Sequence, residues 1–443
     1  MRFRLFKGSL TGAILLLLLA SNLSTCLAFQ SQLSPIDPKE GMKKTPKGFV
    51  RLFDGKTTEG WHLDGGHGPG YVPVDNALVV PSAGGGNLYT NKMYSDFVFR
   101  FDFRVAKAGN NGIGLRAPGG GDTAYMGMEC QVLDDYDPVY ANLMPGQYHG
   151  SIYRVLPAKR GSTKPAGEWN EEEITAIGRH IKVKVNGQVI VDGDLNSVTD
   201  LETLADHPGM LRDKGFIGFL GHGPAEVQFR NIFVKDLSKP EKENTAPKGF
   251  TALFNGKNLT GWKGLVKSPP ERAKMSTEQL EAAIKSATEE ALKHWTVVDG
   301  VIVYDGKNDS LCTIKDYRDF ELLVDWKIHP KGDSGIYLRG SPQVQIWDRV
   351  EGSGGLYNNQ KNPSNPTKNA DNPVGQWNRF RIVMVGDKVT VYLNDQLVVH
   401  HVTMENYWER NKPMYRTGQL ELQHHGDALY FKNIYVREIN TKE

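Results

Sequence analysis

The chain has 443 residues, with 53 Lys+Arg against 51 Asp+Glu for a formal net charge of +2. That length leaves room for two cores, and the scattered, balanced charge offers no electrostatic footprint for nucleic acid, so a small neutral partner is expected. Three cysteines in a chain of this size do not make a disulfide framework.

At the start, Arg2, Arg4 and Lys7 precede an apolar run from Leu10 to Ala20. The run is too short to span a bilayer and suits a secretory signal, so residues 1–28 are expected to be removed from an exported, periplasmic or extracellular protein. Cleavage after Cys26-Leu27-Ala28 satisfies the small-residue rule, whereas bulky Thr25 makes a lipid anchor at Cys26 the disfavoured alternative. Residues 29–44 are polar and without periodicity, and read as a linker.

The next 400 residues say nearly the same thing twice. Pro46-Lys47-Gly48-Phe49, Leu52-Phe53-Asp54-Gly55-Lys56 and Gly60-Trp61 return as Pro247-Lys248-Gly249-Phe250, Leu253-Phe254-Asn255-Gly256-Lys257 and Gly261-Trp262. Phe229-Arg230-Asn231-Ile232-Phe233-Val234 is answered by Phe431-Lys432-Asn433-Ile434-Tyr435-Val436. An offset of 201 positions (Pro46 to Pro247) is a duplicated domain, since solenoid repeats are roughly 20 to 50 residues long. The copies are placed at 45–238 and 246–443, with a charged joint at 239–245.

Within each copy the apolar pattern has the period of strands. Phe97 to Arg104 and His180 to Val185 alternate apolar and polar residues, as half-buried strands do. Asn186-Gly187 is a hairpin turn signal, repeated around Asn394-Asp395. Many short strands with such turns predict an all-β chain of two tandem antiparallel sandwiches. One helix interrupts them at about 276–295, where Ser276 or Thr277 caps Leu280, Ile284, Ala287, Ala291 and Trp295 at helical spacing, and it is expected to pack as a lid on a sandwich edge. Cys130 and Cys312 lie one per copy in strand-like runs and read as small buried hydrophobes, while Trp169 and Trp377 read as core anchors.

The second copy carries Asp333, Arg339 and then Gln343-Val344-Gln345-Ile346-Trp347-Asp348, whose alternation puts Gln343 and Gln345 on one face. Polar groups and an aromatic on one sheet face are what a sugar demands, because hydroxyls need hydrogen-bond partners and ring faces need a flat apolar surface. The first copy offers Asn111, Arg116, Glu129, Gln131 and Asp134 in the same frame. Recurrence of Arg, Gln and Asp does not by itself separate function from architecture, because a turn-stabilising Asp would also be duplicated. Histidines follow: Gln423-His424-His425-Gly426 in the second copy, and His222, aligned with His425, in the first. Histidine can serve as base, proton donor or metal ligand near neutral pH. An ordinary retaining glycosidase needs a pair of carboxylates, but at alternating strand positions the first copy has Glu129 and Gln131 and the second Gln343 and Gln345, which disfavours that reading.

Taken together, Gly249 to Trp262, Asp333 to Arg339, Val344 to Asp348, Gly355-Leu356-Tyr357, Gly375 to Asn378 and Gln423 to Gly426 resemble the 3-keto-disaccharide hydrolase domain, and the likeness covers both copies nearly end to end. The resemblance implies a concanavalin-like jelly roll and action on 3-keto-glycosides. A ketone at C3 acidifies the C2 proton, so the chemistry would be proton abstraction, elimination of the C1 group and hydration. It calls for one base and an electrophile for the enolate oxygen. The roles implied are His425 or His222 as base, and Arg339 or Arg116 as electrophile, with a bound divalent metal ion as the alternative. Gln345, Asp348, Gln343, Gln423, His424, Asp333 and Tyr357, or Glu129, Gln131, Asp134 and Asn111, would orient the sugar. The second copy has the fuller polar set and is the preferred site, although it carries Gln343 where the family usually has an acid. The competing expectation is a non-catalytic tandem carbohydrate-binding protein of the cell envelope.

Overall fold

The computed structural model describes residues 31–35 and 42–440; the expected signal segment and Cys26 lie outside the described residues. Each half is a sandwich of an eight-stranded and a five-stranded antiparallel sheet. In the first half Phe97–Val105 lies centrally in the larger sheet, between Asn170–Ile177 and Val227–Asp236. The smaller sheet runs Trp61–His67, Gly85–Tyr94, Gly215–Gly221, Asn110–Ala117, Met128–Leu133. The second half repeats this, its smaller sheet running Trp262–Gly264, Leu311–Thr313, Glu421–Leu422, Asp333–Leu338, Ser341–Trp347.

The alternation read from the sequence is the reason for the layers. Phe97, Phe99, Phe101 and Phe103 all point inward, and Phe219 of the facing sheet meets Phe229 with ring centroids 4.1 Å apart. Truncating such a buried ring costs about 3–5 kcal/mol. At the hairpin, Asn186 and Gly187 have φ of 49° and 83°, the left-handed pair that a two-residue turn requires. Cys130 and Cys312 are buried and unbridged.

Several expectations are corrected. The helix spans Thr277–Ala291, capped by Ser276, which accepts from the Gln279 amide; Trp295 instead opens the strand Trp295–Val298. The cause is the turn at 292–294, which carries the chain onto the sheet. It packs on Trp262–Gly264, at the edge of the smaller sheet. Trp169 and Trp377 are not core anchors: they sit half-exposed on the larger sheets, Trp169 between the guanidinium groups of Arg104 and Arg230 and Trp377 beside Lys327 and Lys432. The stretch before the first domain is partly docked, since Ser31 hydrogen-bonds Glu226 at 2.8 Å and Lys43 reaches Asp102 at 2.8 Å.

The two halves share a buried charge cluster. Glu321, fully buried on the second half's larger sheet, pairs with Arg179 of the first half at 2.7 Å, with Arg437 at 2.7 Å and with Arg381. Arg381 in turn meets Asp213 of the first half, and Val383 and Tyr392 join the first half's apolar core. No helix among the described residues is long and apolar enough to cross a membrane.

Candidate functional site

In the strand Met128–Leu133, the core takes Met128, Cys130 and Val132, which leaves Glu129 and Gln131 on the outer face of the smaller sheet. Glu129 lies across its neighbour Gly112, where a Cβ would stand 2.0 Å from Oε1, so only glycine permits this placement. On the other side of the Gly112 strand lies Gly215–Gly221, followed directly by His222, whose Nε2 is 3.0 Å from Glu129 Oε1. The carboxylate is buried while the imidazole is 42% exposed. Burial opposes charge on the ring, but the hydrogen bond and charge of Glu129, with the charge of Asp122 behind them, outweigh it and hold the His222 pKa above the usual imidazole value.

Two further groups adjoin this pair. Asp122 caps the short helix Thr123–Met126 by accepting from the Ala124 amide at 3.0 Å. Tyr89, on the same sheet face, shares a 2.5 Å hydrogen bond with Thr123 Oγ1, and burial raises its pKa and keeps it a phenol. Sequence reasoning missed Asp122, Thr123 and Tyr89. The Gly119-Gly120-Gly121-Asp122-Thr123 run carries a helix-cap signature that could have exposed the first two.

The second half lacks this pair. Gln343 stands in place of Glu129 and donates to Gln345 Oε1 at 2.5 Å. His425 is 55% exposed, and its Nδ1 lies 3.9 Å from Asp333 Oδ2. His424 is tied to the Tyr304 hydroxyl, Gln423 Nε2 donates to Tyr337 Oη at 3.3 Å, and Tyr357 meets Trp347 edge-on at 5.3 Å. The same sheet face buries Glu421, also missed, although the alternation of Gln419, Glu421 and Gln423 with Leu420 and Leu422 marks it. Burial pushes its carboxyl up to about 7 against the opposing Gln419 hydrogen bond, so its neutral form stabilises the fold below the usual carboxyl range and that stability is lost as pH rises through 7.

The arginines fall outside the face. Arg116 Nε and Nη2 donate to the Ser95 carbonyl at 3.0 and 2.8 Å and Nη1 to Arg212 at 3.1 Å. Arg339 pairs with Asp319 at 2.9 Å and donates to the Gly386 and Tyr415 carbonyls. Both guanidinium groups are buried and taken up by the scaffold, so neither is an electrophile for a bound sugar. Arg339→Ala should cost about 3 kcal/mol in urea unfolding, because it removes the buried guanidinium that pairs with the buried Asp319 carboxylate at 2.9 Å, while turnover per folded molecule stays unchanged.

The repeated Asp and Gln are architectural as well. Asp134 accepts from the Ala108 amide at 3.1 Å, and Asp348 from Lys331 at 2.8 Å, each tying the same loop. Gln131 and Gln345 each donate across to the neighbouring strand, to Asn110 at 2.7 Å and Asp333 at 2.8 Å. Asn111 shares its strand face with core residues Ile113 and Leu115 and accepts from the Gly112 amide, so it points away from Glu129. Among the described residues no group of three or more His, Cys, Asp or Glu is placed to hold a metal ion, so the residues present do not fit one.

A family model described as the 3-keto-alpha-glucoside-1,2-lyase-like domain matches residues 48–235 and again 249–437. A curated relative, the 3-keto-disaccharide hydrolase of Bacteroides thetaiotaomicron, is 29% identical over 233 residues, covering 43% of this chain and 79% of the relative. Among solved structures, a candidate glycosyl hydrolase from Parabacteroides distasonis is 27% identical, with 43% of this chain and 99% of that one covered at a TM-score of 0.39. A carbohydrate-binding module from Bacillus subtilis is 14% identical, covering 40% of this chain and 96% of that one at a TM-score of 0.26. With both halves matched nearly end to end, the chain belongs to the 3-keto-alpha-glucoside-1,2-lyase-like domain family and carries that domain twice.

Proposed function

We propose that the protein is an exported glycoside-cleaving enzyme acting on 3-keto-glycosides or 3-keto-disaccharides, with its reaction centre in the first half. The observation that carries this reading is the Glu129–His222 pair, a buried carboxylate holding an accessible imidazole. In the neutral ring, Nε2–H donates to Glu129 and leaves the Nδ1 lone pair free to take a proton. His222 removes the C2 proton of the 3-keto sugar, and the electron pair moves into the C2–C3 bond to give an enolate. The imidazolium thus formed stays beside the enolate, held by Glu129. As the enolate collapses toward C1, the C1–O bond breaks and the leaving oxygen takes the proton that the His222 imidazolium holds, which restores the neutral ring. Water then adds across C1–C2, so the net change is hydrolysis. The family and the name of the Bacteroides relative support the substrate class.

The reaction needs neutral His222. Its pKa is held above the usual imidazole value, so activity should rise as pH climbs through a limb above about 6.5 and reach its plateau on the alkaline side. The test is leaving-group release from a 3-keto-disaccharide across pH 5 to 9, with and without chelator. A limb at or below about 6.5 would contradict the pairing with Glu129. Saturable sugar binding with no product at any pH would favour the non-catalytic carbohydrate-binding reading instead.

A further inference from the structure

The two halves diverge at one end of the sandwich. In the first, His149 Nδ1 accepts from the Leu133 amide at 3.2 Å, and its ring stacks on Phe103 with centroids 4.8 Å apart, so that the space is filled. In the second, Ser353 takes the place of His149, its Oγ accepting from the Trp347 amide at 3.1 Å. Trp326 takes the place of Phe103, facing Asn378 across the strand pair as Phe103 faces Asn170. Where the imidazole stands in the first half, the second has only a hydroxymethyl group. Beside this position, though not lined by Ser353 itself, lies a cleft of about 280 Å³ whose lining includes Trp326, Trp347, Asp348, Arg349, Asp371 and Gln376.

Trp326 is 1% exposed, yet its indole N–H has no hydrogen-bond partner. A buried donor left unpaired costs about 1–3 kcal/mol and marks a place for an acceptor. Asp371 enters from the facing loop, where Oδ2 accepts from the Ser353 amide at 2.7 Å, and burial holds its carboxyl above the usual range. We propose that this cleft binds one ring of a neutral saccharide, at a site separate from the Glu129–His222 pair. The indole N–H faces away a cation and calls for an oxygen acceptor. Asp348 and Asp371 outnumber the one lining cation, Arg349, whose guanidinium lies over the Trp347 ring, and carboxylates beside carboxamides match hydroxyls that both donate and accept. The volume is well above the roughly 30 Å³ share of a single water and suits one ring better than a chain. Such a site would tether a glycan to the chain that carries the reaction centre.

The proposal is independent of the reaction assigned to the first half, and its test is run on the full chain carrying Glu129→Gln and His222→Ala, so that the other face is silent. Glucose, galactose, mannose, xylose and N-acetylglucosamine are titrated by calorimetry and saturation-transfer NMR. Saturable millimolar binding of at least one is expected, weakened about tenfold or more by Ser353→His, which restores the filling ring of the first half, and about fivefold by Trp326→Phe, which deletes the donor. Gln376→Ala, on the rim, provides a variant that leaves the core intact should either of the others fail to fold. No saturable binding by any of the five sugars, or binding indifferent to the variants that fold, would overturn the proposal and leave the cleft to water. With the first-half residues intact, Ser353→His should leave kcat on a soluble 3-keto-disaccharide unchanged.

Discussion

His222→Ala should lower kcat/KM on a 3-keto-disaccharide by about 10²- to 10⁴-fold, the usual worth of a positioned general base. His425→Ala should leave it within a factor of about three, as an exposed side chain without a close carboxylate partner would. The contrast discriminates between the halves, since the sequence alone makes the second the preferred site. Equal losses in the two variants, or a larger loss in His425→Ala, would move the reaction centre. Glu129→Gln gives a finer readout. It keeps a hydrogen-bond acceptor for Nε2 but removes the charge that raises the His222 pKa, so the acidic limb of the pH profile should shift downward while the protein keeps its stability. A purely structural Glu129 would change stability and leave the limb where it is.

Glu321→Ala should be the most destabilising single change outside the apolar cores. It leaves Arg179, Arg381 and Arg437 buried together without the carboxylate they share, and breaking a buried pair of this kind costs about 3–5 kcal/mol. Burial would raise the Glu321 pKa, but the charges of the three arginines outweigh it and bring it down to about 2. A depressed carboxyl stabilises the fold fully above its unfolded value of about 4.5, and that contribution, on the order of 3 kcal/mol, fades as pH falls from there toward 2. Urea unfolding of the wild type should therefore weaken below pH 4.5, and the variant should lose that part of the dependence. A change below about 1 kcal/mol at pH 7 would mean that the cluster does not hold the halves together.

The duplication was legible because a repeated motif such as Leu52-Phe53-Asp54-Gly55 needs no geometry to be seen. The strands were legible because period-two alternation is a direct image of one dry face and one wet face: Phe97 to Phe103 had to point the same way. The same rule placed Glu129, Gln131, Gln343 and Gln345 on the outer sheet faces. Applied to Asn111, which the comparison of the copies had offered as a sugar ligand, it sets that residue on the inward face with Ile113 and Leu115. The tryptophans were misread for a related reason. Hydrophobic size suggests burial, but Trp169 and Trp377 occupy positions where cationic side chains, not a second sheet, cover their rings.

By itself the sequence determined the all-β class, the two copies and the polar residue types on the smaller sheets, because each of these is written in local spacing. Tertiary structure decided which of those residues are free to meet a sugar. Arg116 and Arg339 look like anion holders in the chain, yet backbone carbonyls and Asp319 from distant segments take up the ends of both guanidinium groups. Glu129 and His222 lie 93 positions apart and become a pair only because Gly112 lets a carboxylate cross the strand between them. A hydrogen bond depends on distance and direction between groups, and for residues far apart along the chain those are set by the packing of the sheets and not by the order of the letters.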